Sequence, residues 1–295
     1  MLIIQKLETF DNFTTNEQTV AKYLIDNYNS IKKISITQIA KTTFTSPSTL
    51  VRLCKKCGYN GWRELKLDLL EEMNYIDSHF HSINPNLPFS SNDNSIEVIK
   101  SITALLSDTI NDTFNLLDLP SLCKSVDLID QASIIYIYGL EHAIAPVYDF
   151  MYKMQNIGKR VVIIKDIDAF KYCVHHDPHI IHICVSYSGE TIALNDFVKK
   201  IRLLGATVIG ITSIGGNTLS RIVDYMIPIC TREKLFSKIA TYTSNESIHY
   251  IFDLIYSLIF HKHYDKYLNY KIELARHLDF DRISNVNILD EKINQ

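Results

Sequence analysis

No apolar run in this 295-residue sequence reaches the roughly 20 residues needed to cross a bilayer, so no membrane contact is expected. Met1 to Asp11 lack the basic start and apolar core of a signal peptide, and none is expected. The six cysteines follow no secretory pattern. Scattered thiols of this kind suit a reducing compartment, and the expectation is a cytoplasmic protein. Cys54 and Cys57 have two-residue spacing, but no second pair follows to complete the four ligands of a zinc site, so no metal or cofactor is expected. Internal repeats and low-complexity tracts are missing as well. So is net positive charge, and a formal charge of -3 points by itself to no polyanionic partner.

What is present is more informative. A hydrophobic fraction of 46% with 21% charged residues can bury a sizeable core, and the length suits two domains. The charge is unevenly spread. Between Lys32 and Lys66 stand Lys32, Lys33, Lys41, Arg52, Lys55, Lys56, Arg63 and Lys66 against the single acid Glu64, a local +7. A basic segment inside an acidic protein is an electrostatic footprint for a polyanion, although a solvated surface would look similar.

The chain divides into short helical patterns over 1–77, a Ser-, Asn- and Pro-rich linker over 78–94 that lacks periodicity, and a longer segment over 95–295. Thr15 with Gln18, and Ser35 with Gln38, fit capping boxes. Val20, Tyr23, Leu24 and Tyr28 then share one helical face. Ser46-Pro47 is a strong helix start, because proline lacks the N–H that would be unsatisfied there. A helix near 36–42 is thus followed after a tight turn by another near 47–57, the skeleton of a DNA reader. In the second helix Leu50, Leu53, Cys54 and Cys57 face a core. The opposite face centres on Ser48, Arg52 and Lys55, flanked by Val51 and Lys56. A small polar residue at the helix start with basic residues one and two turns on suits the major groove of double-stranded operator DNA.

The stretch from Ile34 to Lys66 resembles the helix-turn-helix of RpiR-type regulators. The resemblance rests on Ile39-Ala40, Ser46-Pro47-Ser48-Thr49, Arg52, Cys54-Lys55-Lys56 and Gly58-Tyr59-Asn60-Gly61-Trp62. It adds Ser46 and Thr49 to the expected DNA-binding residues Ser48, Arg52, Lys55 and Lys56. Phe44 departs from the glycine common in the turn; an aromatic there can still pack inward, so the motif is not broken.

The second half alternates short apolar runs with helical patterns: Ser133–Tyr138, Arg160–Lys165, His179–Val185, Thr207–Thr212 and Asp224–Ile229. That is the signature of a parallel sheet flanked by helices, whose ligands bind beyond the C-terminal strand ends. After the third run comes Ser186-Tyr187-Ser188-Gly189-Glu190-Thr191. Ser186, Ser188 and Thr191 offer hydroxyls at a helix N-terminus, and Gly189 lets the backbone approach an anion closely. One N-cap would need only one of those hydroxyls, so a phosphate is the expected guest.

Residues 95–262 resemble a sugar isomerase (SIS) domain, in the domain order of the RpiR family. The match is closest over Ser186 to Thr191, with Leu203-Leu204-Gly205-Ala206, Ile211-Thr212, Asp224 and Asp253 to Tyr256 also fitting. The resemblance implies an all-α helix-turn-helix domain followed by a SIS-like α/β domain with a five-stranded parallel sheet flanked by helices. Its implied ligand residues are Gly139, Ser186, Ser188, Gly189, Glu190 and Thr191. In the loop Gly139-Leu140-Glu141-His142-Ala143, Glu141 replaces a small residue and Ala143 the usual serine. A carboxylate there would repel a phosphate unless protonated or turned away, which points to an altered or amino sugar, or to weakened binding.

His175, His176, His179 and His182 around Asp177 straddle a loop and a strand; they are expected at the surface without a metal. The resulting reading is a non-enzymatic transcriptional regulator with a sugar phosphate effector, assembling as a homodimer or homotetramer. The apolar helix from Ile248 to Phe260 is its expected contact. The alternative is a sugar-phosphate isomerase with Glu190 or Glu246 as base.

Overall fold

The computed structural model describes residues 3–9, 12–32, 34–78, 83–166, 177 and 179–278. Its N-terminal part is helical: α1 (Ile3–Thr9), α2 (Thr15–Asp26), α3 (Tyr28–Ile31), α4 (Ile36–Thr42), α5 (Pro47–Lys56) and α6 (Trp62–Ser78). Leu50, Leu53, Cys54 and Cys57 turn into one core with Ile3, Leu7, Val20, Leu24, Ile31, Ile39, Leu65 and Leu69. Each buried leucine contributes about 1.5–3 kcal/mol. Burial pushes the Cys54 thiol up to about 12 and the Cys57 thiol to about 11. From α6 the buried Glu72 carboxylate accepts from the Ile3 N–H at 2.7 and 2.6 Å and so caps α1.

Both expected helix starts at α4 and α5 appear. The Ser35 hydroxyl accepts from Gln38 N at 3.3 Å, and that of Ser46 from Thr49 N at 3.3 Å. The first cap is shifted by one residue: Thr14 and Glu17 form the box, not Thr15 and Gln18. Both registers satisfy the spacing, but Glu17 brings a carboxylate that finds a cation, as described below.

Helices α4 and α5 close with the same device. After α5, Gly58 N donates to Lys55 O at 3.0 Å and Tyr59 N to Cys54 O at 2.9 Å, with Gly58 at φ 92°. This paired bonding pattern requires a left-handed residue. After α4, Thr45 N donates to Ala40 O at 2.8 Å, and the left-handed position falls on Phe44 at φ 52°. Phe44 does not pack inward. Its side chain is 96% exposed, because a Cβ in this conformation points away from both helices.

The expected linker is only partly a spacer. Asn86 is buried; its Oδ1 accepts from Lys234 N at 2.6 Å and its carbonyl from Ile239 N at 2.9 Å. Residues 83–90 are thereby stitched to the second domain. Helices α7 (Ser95–Leu116) and α8 (Leu119–Gln131) follow.

The sheet contains β1 (Ile134–Gly139), β2 (Val161–Ile164), β3 (Ile180–Ser186), β4 (Thr207–Ser213) and β5 (Tyr225–Ile229), each within a residue or two of its expected position. All pairs are parallel, in the order β2-β1-β3-β4-β5. The chain therefore reverses direction across the sheet between β1 and β3, which makes their C-terminal ends the crevice of the fold. Alternation splits the strands between two cores. Ile135, Ile137, Ile181 and Ile183 face α8, α9 (Val147–Gln155) and α12 (Tyr242–Lys262). Tyr138, Cys184 and Val208 face α10 (Ile192–Leu203) and α11 (Thr218–Ile222). Helix α13 (Tyr264–Leu278) completes the described chain.

Two expectations change here. Ile248, Ile251, Phe252, Ile255 and Ile259 of α12 are buried within their own domain, so that helix needs no second copy to cover it. His182 is not a surface residue: it is 1% exposed, and its Nδ1 lies 2.9 Å from the Tyr138 hydroxyl. His179 is exposed, whereas His175 and His176 lie outside the described residues. Among the described residues no helix is long and apolar enough to cross a membrane.

The left-handed Phe44 gives a direct test. It buries nothing and holds a conformation that costs a non-glycine residue about 1 kcal/mol or more. Phe44→Gly is expected to leave thermal stability unchanged or raise it by up to about 1 kcal/mol. A loss of more than that in a melting curve would mean the ring packs somewhere.

Candidate functional site

Two surfaces carry the expected site residues. The first is the outer face of α5. Ser46, Ser48, Arg52 and Lys55 are exposed along it. Ser46 and Ser48 share a hydrogen bond of 2.7 Å between their hydroxyls. Thr49 lies beneath this face, 2% exposed, and its hydroxyl accepts from Arg52 Nη2 at 3.3 Å. It orients the arginine and cannot itself reach a groove.

Lys56 is also engaged. Its ammonium donates to Glu17 Oε2 at 2.7 Å and to the Asn12 carbonyl at 2.6 Å. Glu17 is 1% exposed, and Arg52 Nε stands 3.7 Å from its other oxygen. Burial opposes the Glu17 charge, but the Lys56 ammonium and the Thr14 donors hold its carboxyl below the ordinary range. Glu17 escaped the sequence reading because it lies outside the basic segment and sits next to α5 only after folding. The net charge on this face is correspondingly smaller than the linear count.

The second surface is the crevice. β1 and β3 run side by side, with Gly139 opposite Val185. A Cβ on Gly139 would lie 3.1 Å from the Val185 carbonyl, so the strand end admits no side chain there without movement. Ser186 closes β3, and its hydroxyl lies 3.1 Å from that of Thr191, the residue preceding α10. The Gly189 N–H donates to Ser186 Oγ at 3.2 Å, and the Glu190 N–H to Ser188 Oγ at 3.2 Å. Hydroxyls and the positive end of a 12-residue helix thus converge on one spot, the arrangement that holds a phosphate without a metal.

Gly189 sits at φ 66°, and a Cβ on it would fall 2.0 Å from Asn217 Oδ1. The loop is pressed against the turn that opens α11. Glu190 does not reach toward a ligand: its Oε1 accepts from Thr218 N at 3.0 Å and its Oε2 from the Thr218 hydroxyl at 2.6 Å. Tyr187 anchors the loop from the other side, donating to the Glu233 carbonyl at 2.8 Å.

Glu233 is a buried carboxylate with no sequence signal. It accepts from Thr243 N at 2.5 Å, Ser244 N at 3.1 Å and Lys238 Nζ at 2.9 Å. The N-terminus of α12 is therefore already filled by an internal anion, whereas that of α10 is lined by hydroxyls. Glu246, the other candidate base, is half-buried on α12. Leu140 is followed by one 3-10 turn over Glu141–Ile144; the Glu141 side chain lies outside the described residues.

Asp149, His249 and Asp253 also bring ligand atoms together, within 4.8 Å of one another. The Lys153 ammonium bridges both carboxylates at 2.5 Å, which puts a cation of the protein's own where a metal would sit.

Residues 1–75 match the helix-turn-helix domain of the rpiR family, and residues 128–256 match the SIS domain. An uncharacterised HTH-type transcriptional regulator of Caldanaerobacter subterraneus subsp. tengcongensis is 24% identical over 289 residues, covering 94% of this chain and 97% of its own. Another such regulator, from Clostridium perfringens, is 25% identical over 263 residues, covering 88% of this chain and 92% of its own. The structure of the Vibrio vulnificus NanR protein complexed with ManNAc-6P superimposes with a TM-score of 0.61 at 20% identity, covering 96% of this chain and all (100%) of that one. These likenesses span both domains in the same order.

The charge arrangement on α5 makes a quantitative prediction. Arg52→Ala and Lys55→Ala should each lower the slope of log affinity against log salt on duplex DNA by about one. Glu17→Gln should do the opposite, because it releases Lys56 and Arg52 toward phosphates. Fluorescence anisotropy on a generic duplex reads all three; identical slopes would remove α5 from the DNA interface.

Proposed function

This chain carries an rpiR-family helix-turn-helix domain ahead of a C-terminal SIS domain, and we propose that it is a transcriptional regulator of sugar metabolism whose grip on its operator is set by a phosphorylated sugar. The observation that carries the reading is the loop at the switch of the sheet. Ser186 and Thr191 hold their hydroxyls 3.1 Å apart at the start of α10, over a glycine that keeps the backbone close. Such a site neutralises an anion with dipoles and hydrogen bonds, which permits reversible binding. In the N-terminal domain, Ser46, Ser48, Arg52 and Lys55 enter the major groove, with Thr49 and Lys56 behind them. The protein works in the cytoplasm. Of the two candidate bases of an isomerase, Glu190 has both carboxylate oxygens bonded to Thr218, which leaves only Glu246 for that alternative.

The effector belongs to the amino-sugar phosphates in the first instance, because the NanR protein of Vibrio vulnificus is complexed with ManNAc-6P. Calorimetry against ManNAc-6P and a panel of hexose and pentose phosphates tests this. Each lost hydrogen bond to a charged group costs about 1.5–3 kcal/mol. Ser186→Ala with Ser188→Ala should therefore weaken binding at least a hundredfold, leaving affinity for DNA without effector near that of the wild type. Should no sugar phosphate bind the wild type, the domain is an assembly module and not a sensor.

The regulator assembles as a homodimer, or as a homotetramer built from dimers. Ile96 and Ile99 of α7, and Tyr264, Tyr270 and Ile272 of α13, are large, apolar and exposed, and they supply the contact that α12 does not. Sedimentation of the full chain at micromolar concentration should give twice or four times the chain mass of 34.0 kDa; a monomer would overturn this assembly.

A further inference from the structure

Arg221 connects the two surfaces described above. Arg221, on the last turn of α11, reaches out of the α/β domain. Its Nη1 donates to the Gly58 carbonyl at 2.6 Å, and its guanidinium lies 4.9 Å from the centre of the Tyr59 ring. Gly58 and Tyr59 are the residues whose N–H groups close the C-terminus of α5. A guanidinium there also suits the negative end of the helix dipole. The fit is tight. A Cβ on Gly216 would lie 2.5 Å from Arg221 Nη2, 2.6 Å from Tyr59 Oη and 3.0 Å from Asp68 Oδ2.

At its other end α11 is held by the Ser186–Thr191 loop. Leu219 N donates to Gly189 O at 3.0 Å, and Thr218 takes both oxygens of Glu190. The helix is only five residues long, so its first turn and Arg221 cannot move independently. The path from the candidate phosphate loop to the cap of the DNA-reading helix is Glu190, Thr218, Arg221, Gly58.

We propose that Arg221 is the positioning residue through which occupancy of the Ser186–Thr191 loop sets the placement of α5. The regulatory part of the proposal rests on the reading of that loop as a phosphate site; the mechanical part does not. A phosphate dianion on the loop and the Glu190 carboxylate repel each other at close range. Glu190 is exposed and can swing away, which removes the cap from Thr218 and loosens the first turn of α11. Arg221 then withdraws from Gly58, and the reading head is freed from the position that this contact fixes.

Amide hydrogen exchange on the full chain tests this, because the Gly58 and Tyr59 N–H groups are distant in sequence from every residue changed. Arg221→Ala should speed exchange at these two amides about tenfold or more. Arg221→Lys, which keeps a charge but loses the fit to ring and carbonyl, should fall between it and the wild type. Glu190→Ala, made without any ligand, should speed the same amides although it touches nothing in the N-terminal domain. Combined with Arg221→Ala it should add nothing further, the mark of a shared path. Wild-type exchange at Gly58 and Tyr59 in Glu190→Ala, with changes confined to α10 and α11, overturns the proposal. A second arm uses inorganic phosphate as probe. It should speed these amides in the wild type and leave them unmoved in Arg221→Ala, while calorimetry shows phosphate bound to both. Equal phosphate effects in the two proteins also overturn the proposal. Failure of phosphate to bind the wild type defeats the loop reading instead, and the Glu190→Ala result then decides the mechanical path alone.

Discussion

The contact between Gly189 and Asn217 is the constraint on which the rest of this structure depends. With a Cβ 2.0 Å from Asn217 Oδ1, no other residue fits without displacing the turn. The absence of a side chain does two things. It lets the loop after β3 fold tightly enough for Ser186 and Thr191 to meet at the start of α10. It also lets that loop bond along the turn and first residues of α11, from Ser213 N on Tyr187 O to Leu219 N on Gly189 O. A site at the mouth of a parallel sheet usually ends at its own loops. Here the loop of the candidate site is bonded to a five-residue helix whose Arg221 reaches the other domain.

Electrostatics in the N-terminal domain follows the same logic of shared groups. The basic segment of the sequence does not become a uniformly positive face. Glu17 takes Lys56 out of it, and Thr49 steers Arg52. Two further cations, Lys6 on the Cys57 carbonyl at 3.2 Å and Arg221 on that of Gly58, sit at the far end of α5. The helix is thus held by positive charge at its C-terminus and presents Arg52 and Lys55 along its outer face.

How much of this could be read from sequence varies with the range of the interaction. The five strands stand out because strands buried on both faces are nearly continuous apolar runs. The starts of α4 and α5 were legible because a cap is a contact between residues three apart. The loop from Ser186 to Thr191 was legible as a hydroxyl-rich helix start. What escaped depends on residues far apart in the chain. Glu17 meets Lys56 across 39 positions and Arg221 meets Gly58 across 163. Asn86 is bonded to a loop about 150 residues on, so a polar segment without periodicity read as a free linker. His182 looked like one of a histidine cluster because strand parity tells which face a residue takes, and does not tell whether that face is covered. Phe44 misled for a local reason: the backbone, not hydrophobicity, decides where a side chain points after a helix cap.

The thiols carry a further consequence. Cys54 and Cys57 lie in the core of the helical domain, and Cys184 and Cys230 in the other, all buried. Burial also raises the cost of forming a thiolate at Cys54, Cys57 and Cys184, and it is the thiolate that reacts. Oxidants and electrophiles therefore meet these sulfurs only when a domain opens. These four sulfurs are insulated from redox chemistry for as long as their domains stay folded, whereas Cys123 is exposed; in the buried four each domain carries its own internal record of how often it opens.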